Sequence, residues 1–422
     1  MSIIRKTPIF ADFFAGCGGL SLGLMQAGWL GRFAIEHDVF AFETLRANLL
    51  SQAARFKFVW PRWLPKEPLA IGTLLRDYRC ELEALEGKID LVVGGPPCQG
   101  FSSAGKRRSD DPRNKLFKSY LRVIEILKPK AVLVENVRGF TMDFGPNAQI
   151  KNYSNNLREK LSAKYEVFDE LLDLSDFGVP QRRTRYFLLA LQRGVCAENP
   201  FDLLRNRLPS FLRSMRLTAP VSSWSAISDL EVARGGTRPS VDTPGFEEIN
   251  YAKPLTHFQK LMAGDSAPTD LRLARHSDEI TTRFQQIIQL SHAEGRLNTT
   301  ISEDVKALYG LRKKALRVLD PDRPAPTITS LPDDLLHYQE PRILTVRENA
   351  RLQTFPDWFS FKGKYTTGGH LRRKEVPRFT QVANAVPPLV ARAIGEFLIE
   401  LLCTPRSHIG CAGRTSPLER TA

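Results

Sequence analysis

PIFADFFAGCGGLSLGLMQAG, Pro8 to Gly28, decides how the rest of the chain reads. Ile9 to Phe14 is apolar except for Asp12 and reads as a buried strand. Glycines at 16, 18 and 19 break it, and the next residues continue as a helix that Gly28 stops. Strand, glycine turn and helix form the geometry in which backbone N–H groups approach a nucleotide-like ligand. The spacing is not the dinucleotide fingerprint, because Gly16 and Gly18 supply G-x-G but Ser21 stands at the third glycine position. Glu36 ends the following apolar segment, RFAIE, twenty residues after Gly16, where an acid grips ribose hydroxyls. An adenosine-bearing ligand without a pyrophosphate suits this pattern better than NAD.

Outward from this stretch, strand and helix patterns alternate. VFAFETLRANLL, KLFKSYLRVIEILKP and NNLREKLSAKY read as helices, and KIDLVV, AVLVEN, YEVFDELLDL and RYFLLAL as strands. The alternation predicts an α/β fold, a doubly wound and mostly parallel sheet covered on both faces, with a smaller second domain. The expected division is a first domain over 1–194, the small domain over 195–375, a helix over 376–403 that returns to the first domain, and a disordered polar tail over 404–422. Residues 219–245 are rich in Ser, Pro and Gly and read as linker or loop.

The 422 residues, 42% hydrophobic and 25% charged, have ordinary globular composition. Sixty Lys and Arg against 46 acids leave a net charge of +14, which points to a polyanionic partner such as nucleic acid. The six cysteines form no C-x-x-C and no zinc spacing, so no metal site is expected. Reduced thiols and the lack of a leader-like or membrane-length apolar run give a cytoplasmic expectation.

Three segments carry reactive side chains. In GGPPCQGFS, the run Ile89, Leu91, Val92, Val93 ends at prolines that cannot continue a strand, which leaves Cys98 on a stiff turn. A thiol with a pKa of about 8.5 is mostly protonated at neutral pH, so a nucleophilic role needs nearby positive charge. KRRSDDPRNK, Lys106 to Lys115, could supply it and could also meet phosphates. In VLVENVRGF, Glu135 sits at the end of the next strand, placed to donate a proton or anchor a hydrogen bond. In DFGVPQRRTRYF, Arg183 and Arg185 share parity on an extended chain and suit a phosphate or a developing negative charge.

Taken in order, these segments resemble the DNA (cytosine-5) methyltransferases. DFFAGCGGLSLG is similar to the family's cofactor loop, GGPPCQGFS to its nucleophile motif, ENV to its glutamate motif and QRRTRYF to its paired-arginine motif. TVRENARLQTFPD, Thr345 to Asp357, resembles the helix bridging to the small domain, and QVANAVPP, Gln381 to Pro388, the returning motif. The resemblance covers about 9–193 and 321–400. It implies attack of Cys98 on carbon 6 of a flipped cytosine, with Glu135 on N3 and the exocyclic amine and with Arg183 and Arg185 positioning the base. It implies S-adenosylmethionine as methyl donor, lined by Phe14, Gly16, Gly18, Gly19, Leu20, Glu36, His37, Pro96 and Asn384. Double-stranded DNA is the implied partner, met by Gln99, Ser102, Lys106, Arg107, Arg108 and Gln181. The region 195–340 would choose the target sequence, with Arg272, Arg275 and Arg283 able to meet guanine or phosphate. The genomic setting implied is a bacterial restriction-modification system with a cognate endonuclease, and the enzyme is expected to act as a monomer.

Two departures stand out. Thr73 falls where the family places an acid toward the adenine amine, with Asp77 as a substitute, and Ala383 stands where glycine is common. The family's tRNA-methylating branch is the alternative, but its Cys-Phe-Thr signature is missing from this sequence. A non-catalytic relative is disfavoured by the presence of both Cys98 and Glu135, and an NAD oxidoreductase by Ser21.

Overall fold

The computed structural model describes residues 7–96, 113–141, 153–313, 315–367, 371 and 374–403. Its centre is a six-stranded sheet. In chain order the strands are β1 (Ile9–Phe13), β2 (Leu30–Ile35), β3 (Leu91–Gly94), β4 (Ala131–Val137) and β5 (Tyr165–Asp173), then a two-residue β6 (Gln181–Arg182) outside that sheet, and β7 (Thr184–Gln192). The spatial order is β2-β1-β3-β4-β7-β5. Neighbours run parallel from β2 to β4, and β7 runs antiparallel to both β4 and β5.

The apolar strand runs are explained by two cores. Alternate residues point to opposite faces: Leu91 and Val93 join one core and Val92 the other, and Phe187, Leu189 and Leu191 oppose Tyr186, Leu188 and Ala190. The helices are α1 (Gly19–Gln26), α2 (Val39–Leu49), α3 (Ile71–Asp77), α4 (Arg79–Glu83), α5 (Arg113–Leu127), α6 (Tyr153–Ser162), α7 (Pro200–Ser214), α8 (Ser223–Ile227), α9 (Val232–Gly235), α10 (His257–Ala263), α11 (Asp278–Ala293), α12 (Glu303–Leu308), α13 (Val346–Leu352), α14 (Arg378–Asn384) and α15 (Pro388–Cys403). Residues of α1, α2, α7 and α15 build the first core, and residues of α3, α5 and α6 the second.

The single helix expected over 376–403 is two helices. Pro387 and Pro388 lack the N–H groups that a continuing helix would use, so α14 ends at Asn384 and α15 begins with Pro388 at its first position. The apolar α15 then lies against α1 so closely that a Cβ on Gly23 would fall 2.2 Å from the Pro388 carbonyl oxygen. Trp29 Nε1 donates to the Gly395 carbonyl at 2.9 Å and fixes the register of this pair.

The stretch 219–245 also differs from its composition. Val221, Ser223, Ala226, Ile227, Ser228, Asp229, Leu230 and Glu231 are buried, and α8 packs against α10 and α13. Serines here cap and bridge: Ser222 accepts from the Ser225 N–H, and Ser228 accepts from Gln259 Nε2. Beyond α7, which packs on β5 and α15, a separate small core gathers Ile287, Ile288, Ile301, Val305, Leu316, Val318, Leu336 and Ile343. The tail over 404–422 lies outside the described residues.

Candidate active site

Parallel strands bring their carboxyl ends to one edge, which is where ligands meet this class of sheet. β1, β2, β3 and β4 deliver the glycine turn, Glu36, Gly95 and Glu135 there. β7 is reversed, so its start, not its end, reaches the same edge. Arg185 pairs across with Val137, which makes it the diagonal same-face neighbour of Glu135. Arg185 Nε stands 3.2 Å from Glu135 Oε1, with both side chains nearly buried. Burial raises the Glu135 pKa, and the charges of Arg185 and Arg183 pull it back down. The result is a carboxyl that holds a proton more readily than a surface glutamate, oriented by a guanidinium.

Asn136 ties the next strand end to this one. Its Nδ2 donates to the Pro96 carbonyl at 3.0 Å. A Cβ on Gly95 would stand 3.4 Å from Glu135 Oε2, so the residues leading into Cys98 run beside the glutamate. Cys98 itself, with Gln99, Ser102, Lys106, Arg107 and Arg108, lies outside the described residues.

At the other end of the edge the chain turns through left-handed backbone at Phe14 (φ 60°), Gly16 (φ 56°) and Gly18 (φ 94°). Gly16 suits this at no steric cost, whereas Phe14 carries strain of the kind that clusters at ligand sites. Nothing lies within 4 Å of where a Gly16 Cβ would project. Glu36 Oε2 accepts from the Gly16 N–H at 2.9 Å, and its Oε1 accepts from the N–H groups of His37 and Asp38, each at 2.8 Å. Burial works to raise its pKa, yet hydrogen bonds from His37 and from these backbone donors hold it below the usual value. His37 is largely exposed beside it, its own pKa raised by that carboxylate. Gly19 and Leu20 open α1 and are buried, and Asn384 is exposed at the end of α14.

One expectation needs correction. Gln181 is not available to DNA: it is fully buried, and its amide joins Leu352, Gln353 and the Ile328 N–H. Arg183, 2% exposed, donates from Nη2 to the Ala383 carbonyl at 2.7 Å and so also holds α14. Asp77 lies at the exposed end of α3, where Arg76 engages both of its oxygens. Of the candidate base readers, Arg272 stacks on Tyr365 (3.5 Å to the ring centroid) and Phe246 (4.3 Å), and Arg275 also stacks on Phe246. Arg283 is half-buried on α11.

The structure adds one candidate residue. Asp12, at the end of β1 and under the glycine turn, is buried and accepts from Ser21 Oγ at 2.5 Å, while its Oδ1 has no partner. Burial raises its pKa to about 7. A lone acid inside an apolar strand just before a glycine turn was the available signal. Ser21, in place of the third glycine, is explained by this bond. Among the described residues no group of His, Cys, Asp or Glu is placed to hold a metal, and no helix is long and apolar enough to cross a membrane.

Comparison with known proteins gives the family and the fold. The family model for C-5 cytosine-specific DNA methylase matches residues 9–400. The type II methyltransferase M.XorII of Xanthomonas oryzae is 31% identical over 94% of this chain and 85% of its own length. M.DdeI of Desulfomicrobium norvegicum is 31% identical over 91% of this chain and 87% of its own. Among solved structures, a prophage protein of E. coli assigned as a DNA modification methyltransferase superposes with a TM-score of 0.64 at 24% identity, covering 94% of this chain and 99% of that one. The S. pombe Dnmt2 methyltransferase shares the fold at a TM-score of 0.51 and 15% identity, covering 94% of this chain and 98% of its own. A Rossmann-like sheet with this edge, matched by one family model along nearly its whole length, places the chain in the C-5 cytosine-specific DNA methylase family.

Proposed function

We propose that this chain methylates carbon 5 of a cytosine flipped out of double-stranded DNA at one short sequence, through a covalent adduct on Cys98. The carrying observation is the Glu135–Arg185 pair at the strand edge, beside the turn that leads to Cys98. The glycine turn fits S-adenosylmethionine: Glu36 is pre-oriented at the end of β2, Gly16 has open space before it, and Asp12 Oδ1 is unsatisfied beneath it. Phe14, Gly16, Gly18, Gly19, Leu20, Glu36, His37, Pro96 and Asn384 would hold it. When bound, it supplies an electrophilic methyl group.

Carbon 5 of cytosine is a poor nucleophile, and the chain's residues change that. The Cys98 thiolate adds its electron pair to carbon 6, the pair displaced through the ring is taken up at N3, and Glu135 delivers the proton there. Carbon 5 then has enamine character and its electron pair can take the methyl group that the bound donor would supply, the donor keeping the electron pair of the bond it gives up. A general base takes the carbon 5 proton, the C–H electron pair restores the ring double bond, the carbon 6–sulfur bond breaks with its pair returning to the Cys98 thiolate, and Glu135 takes back the N3 proton. Arg185 holds Glu135 in place for both proton movements. Flipping costs a few kcal/mol of stacking and pairing and brings the base to an edge that a paired cytosine cannot reach.

The curated relatives carry type II names, which supports a role in protecting DNA against an endonuclease of the same specificity. The test is incubation of purified protein with S-adenosylmethionine and unmethylated genomic DNA, followed by bisulfite sequencing. Protected cytosines in one short motif, lost with Cys98→Ser, are expected. Complete conversion with the wild-type protein would overturn the reading.

A further inference from the structure

The last turn of α14 joins the two halves of the site. A helix leaves its final carbonyls without partners inside the helix. Here the side chains of Gln353, at the end of α13, and of Arg183, just before β7, take carbonyls of this turn. Gln353 Nε2 donates to the Val382 and Ala385 carbonyls at 2.8 and 3.2 Å, and is itself held by Gln181. Arg183 Nη2 takes the Ala383 carbonyl at 2.7 Å. On the far side of the same turn the chain touches the glycine turn: a Cβ on Gly19 would fall 2.5 Å from the Val386 oxygen and 3.4 Å from the Ala385 Cβ. Asn384, between these contacts, is exposed.

Arg183 is under-used for a buried cation. Its Nε and Nη1 are buried without any hydrogen-bond partner, and Glu135 and Arg185 are close enough to act on it electrostatically. A buried guanidinium with unmet donors is costly, and an acceptor arriving in the Glu135–Arg185 pocket relieves that cost. The same guanidinium holds the Ala383 carbonyl, so a change of partners on one side is felt on the other.

Resting on the function proposed above, we propose that Arg183 is a positioning residue that acts through the Ala383 carbonyl and makes binding of the flipped base and binding of the cofactor mutually reinforcing. Coupling of this kind is reciprocal and commonly amounts to about 5–150-fold in affinity.

The test measures S-adenosylhomocysteine binding by calorimetry, which needs no turnover, with and without a short duplex carrying the motif found by bisulfite sequencing. For the wild type, the duplex is expected to tighten S-adenosylhomocysteine by about tenfold. Arg183→Lys is expected to reduce that ratio to less than about twofold while the protein still binds both ligands. An unchanged ratio in Arg183→Lys, or no coupling in the wild type, overturns the proposal. Failure of the wild type to bind S-adenosylhomocysteine at all would sink the functional reading as well, and so separates the two. Hydrogen exchange on the wild type covers the case in which the variant does not fold. The duplex alone is expected to slow exchange of the amides at 383–386, and unchanged exchange there counts against the proposal.

Discussion

Around α13, Arg351 lies between Asp229 and Asp357 with bonds of 2.7 to 3.1 Å to both, and Arg342 grips Glu348 through two nitrogens and Glu340 through a third. Arg347 spends its donors on Thr269, Asp270, Pro356 and Phe359. At the sheet edge Arg183 is as deeply buried, yet makes one hydrogen bond and leaves two donor atoms unmet. Asp12 is in the same condition, and so is the Tyr120 hydroxyl. The matched arginines tie together the segments around Asp229, Thr269 and Asp270, and Glu340 to Phe359. Unmatched polar groups persist in a folded protein where something else completes them. At equal burial the arginines around α13 have their donors matched and Arg183 does not; among the described residues outside the sheet edge, His337 Nε2 and the Nε atoms of Arg272 and Arg283 are unmatched too.

Paired substitutions can break that distinction. Arg351→Met leaves Asp229 and Asp357 buried without their partner and is expected to cost about 3–5 kcal/mol in chemical denaturation. Arg183→Met removes a poorly matched charge, so its expected cost is below about 1 kcal/mol. Equal losses would erase the difference between the two regions.

Glu135→Gln keeps the shape of the site but removes the transferable proton. It is expected to slow methyl transfer by about a hundred- to a thousandfold without changing the unfolding midpoint. Because burial raises the Glu135 pKa, the wild-type chemical step should weaken as pH rises through that value. Single-turnover rates across pH should show this limb in the wild type and lose it in Glu135→Gln.

Asp12 sharpens the comparison through stability. Its folded pKa of about 7 lies above the ordinary 3.8, so the folded protein holds the proton more tightly than the unfolded chain does. That stabilisation is complete below the unfolded value and is lost as pH rises through the folded one. A shift of about three units is worth about 4 kcal/mol. Denaturation curves are therefore expected to show Asp12→Asn gaining on the wild type by at most about 4 kcal/mol between about pH 4 and pH 8. A constant difference across that range would mean that Asp12 is ionised throughout.

Two glycines of the first motif should behave unequally. Gly23→Ala forces α1 away from α15 and is expected to cost about 1–3 kcal/mol. Gly16→Ala meets open space and bears only the left-handed backbone penalty, about 1 kcal/mol, although it is expected to weaken S-adenosylhomocysteine binding.

Much of this was legible in the chain. Strand periodicity, the glycine turn, the spacing from Gly16 to Glu36 and the proline stop before Cys98 are local patterns, set by backbone sterics and by which side chains avoid water. The order of the motifs carried the family. Strand direction is not local, because an apolar run reads alike in either sense. The reversal of β7, which brings Arg185 to Glu135, was decided by its pairing with β4 and β5. The burial of Gln181 depends on Gln353, 172 residues away. The packing of 221–231 depends on α10 and α13, and the grip of Arg183 on Ala383 spans 200 residues. The amino-acid order by itself determined which side chains are available for this chemistry. Which of them share an edge, and which are left with unmet hydrogen bonds, was decided by long-range packing, since burial and partnership exist only once distant segments meet.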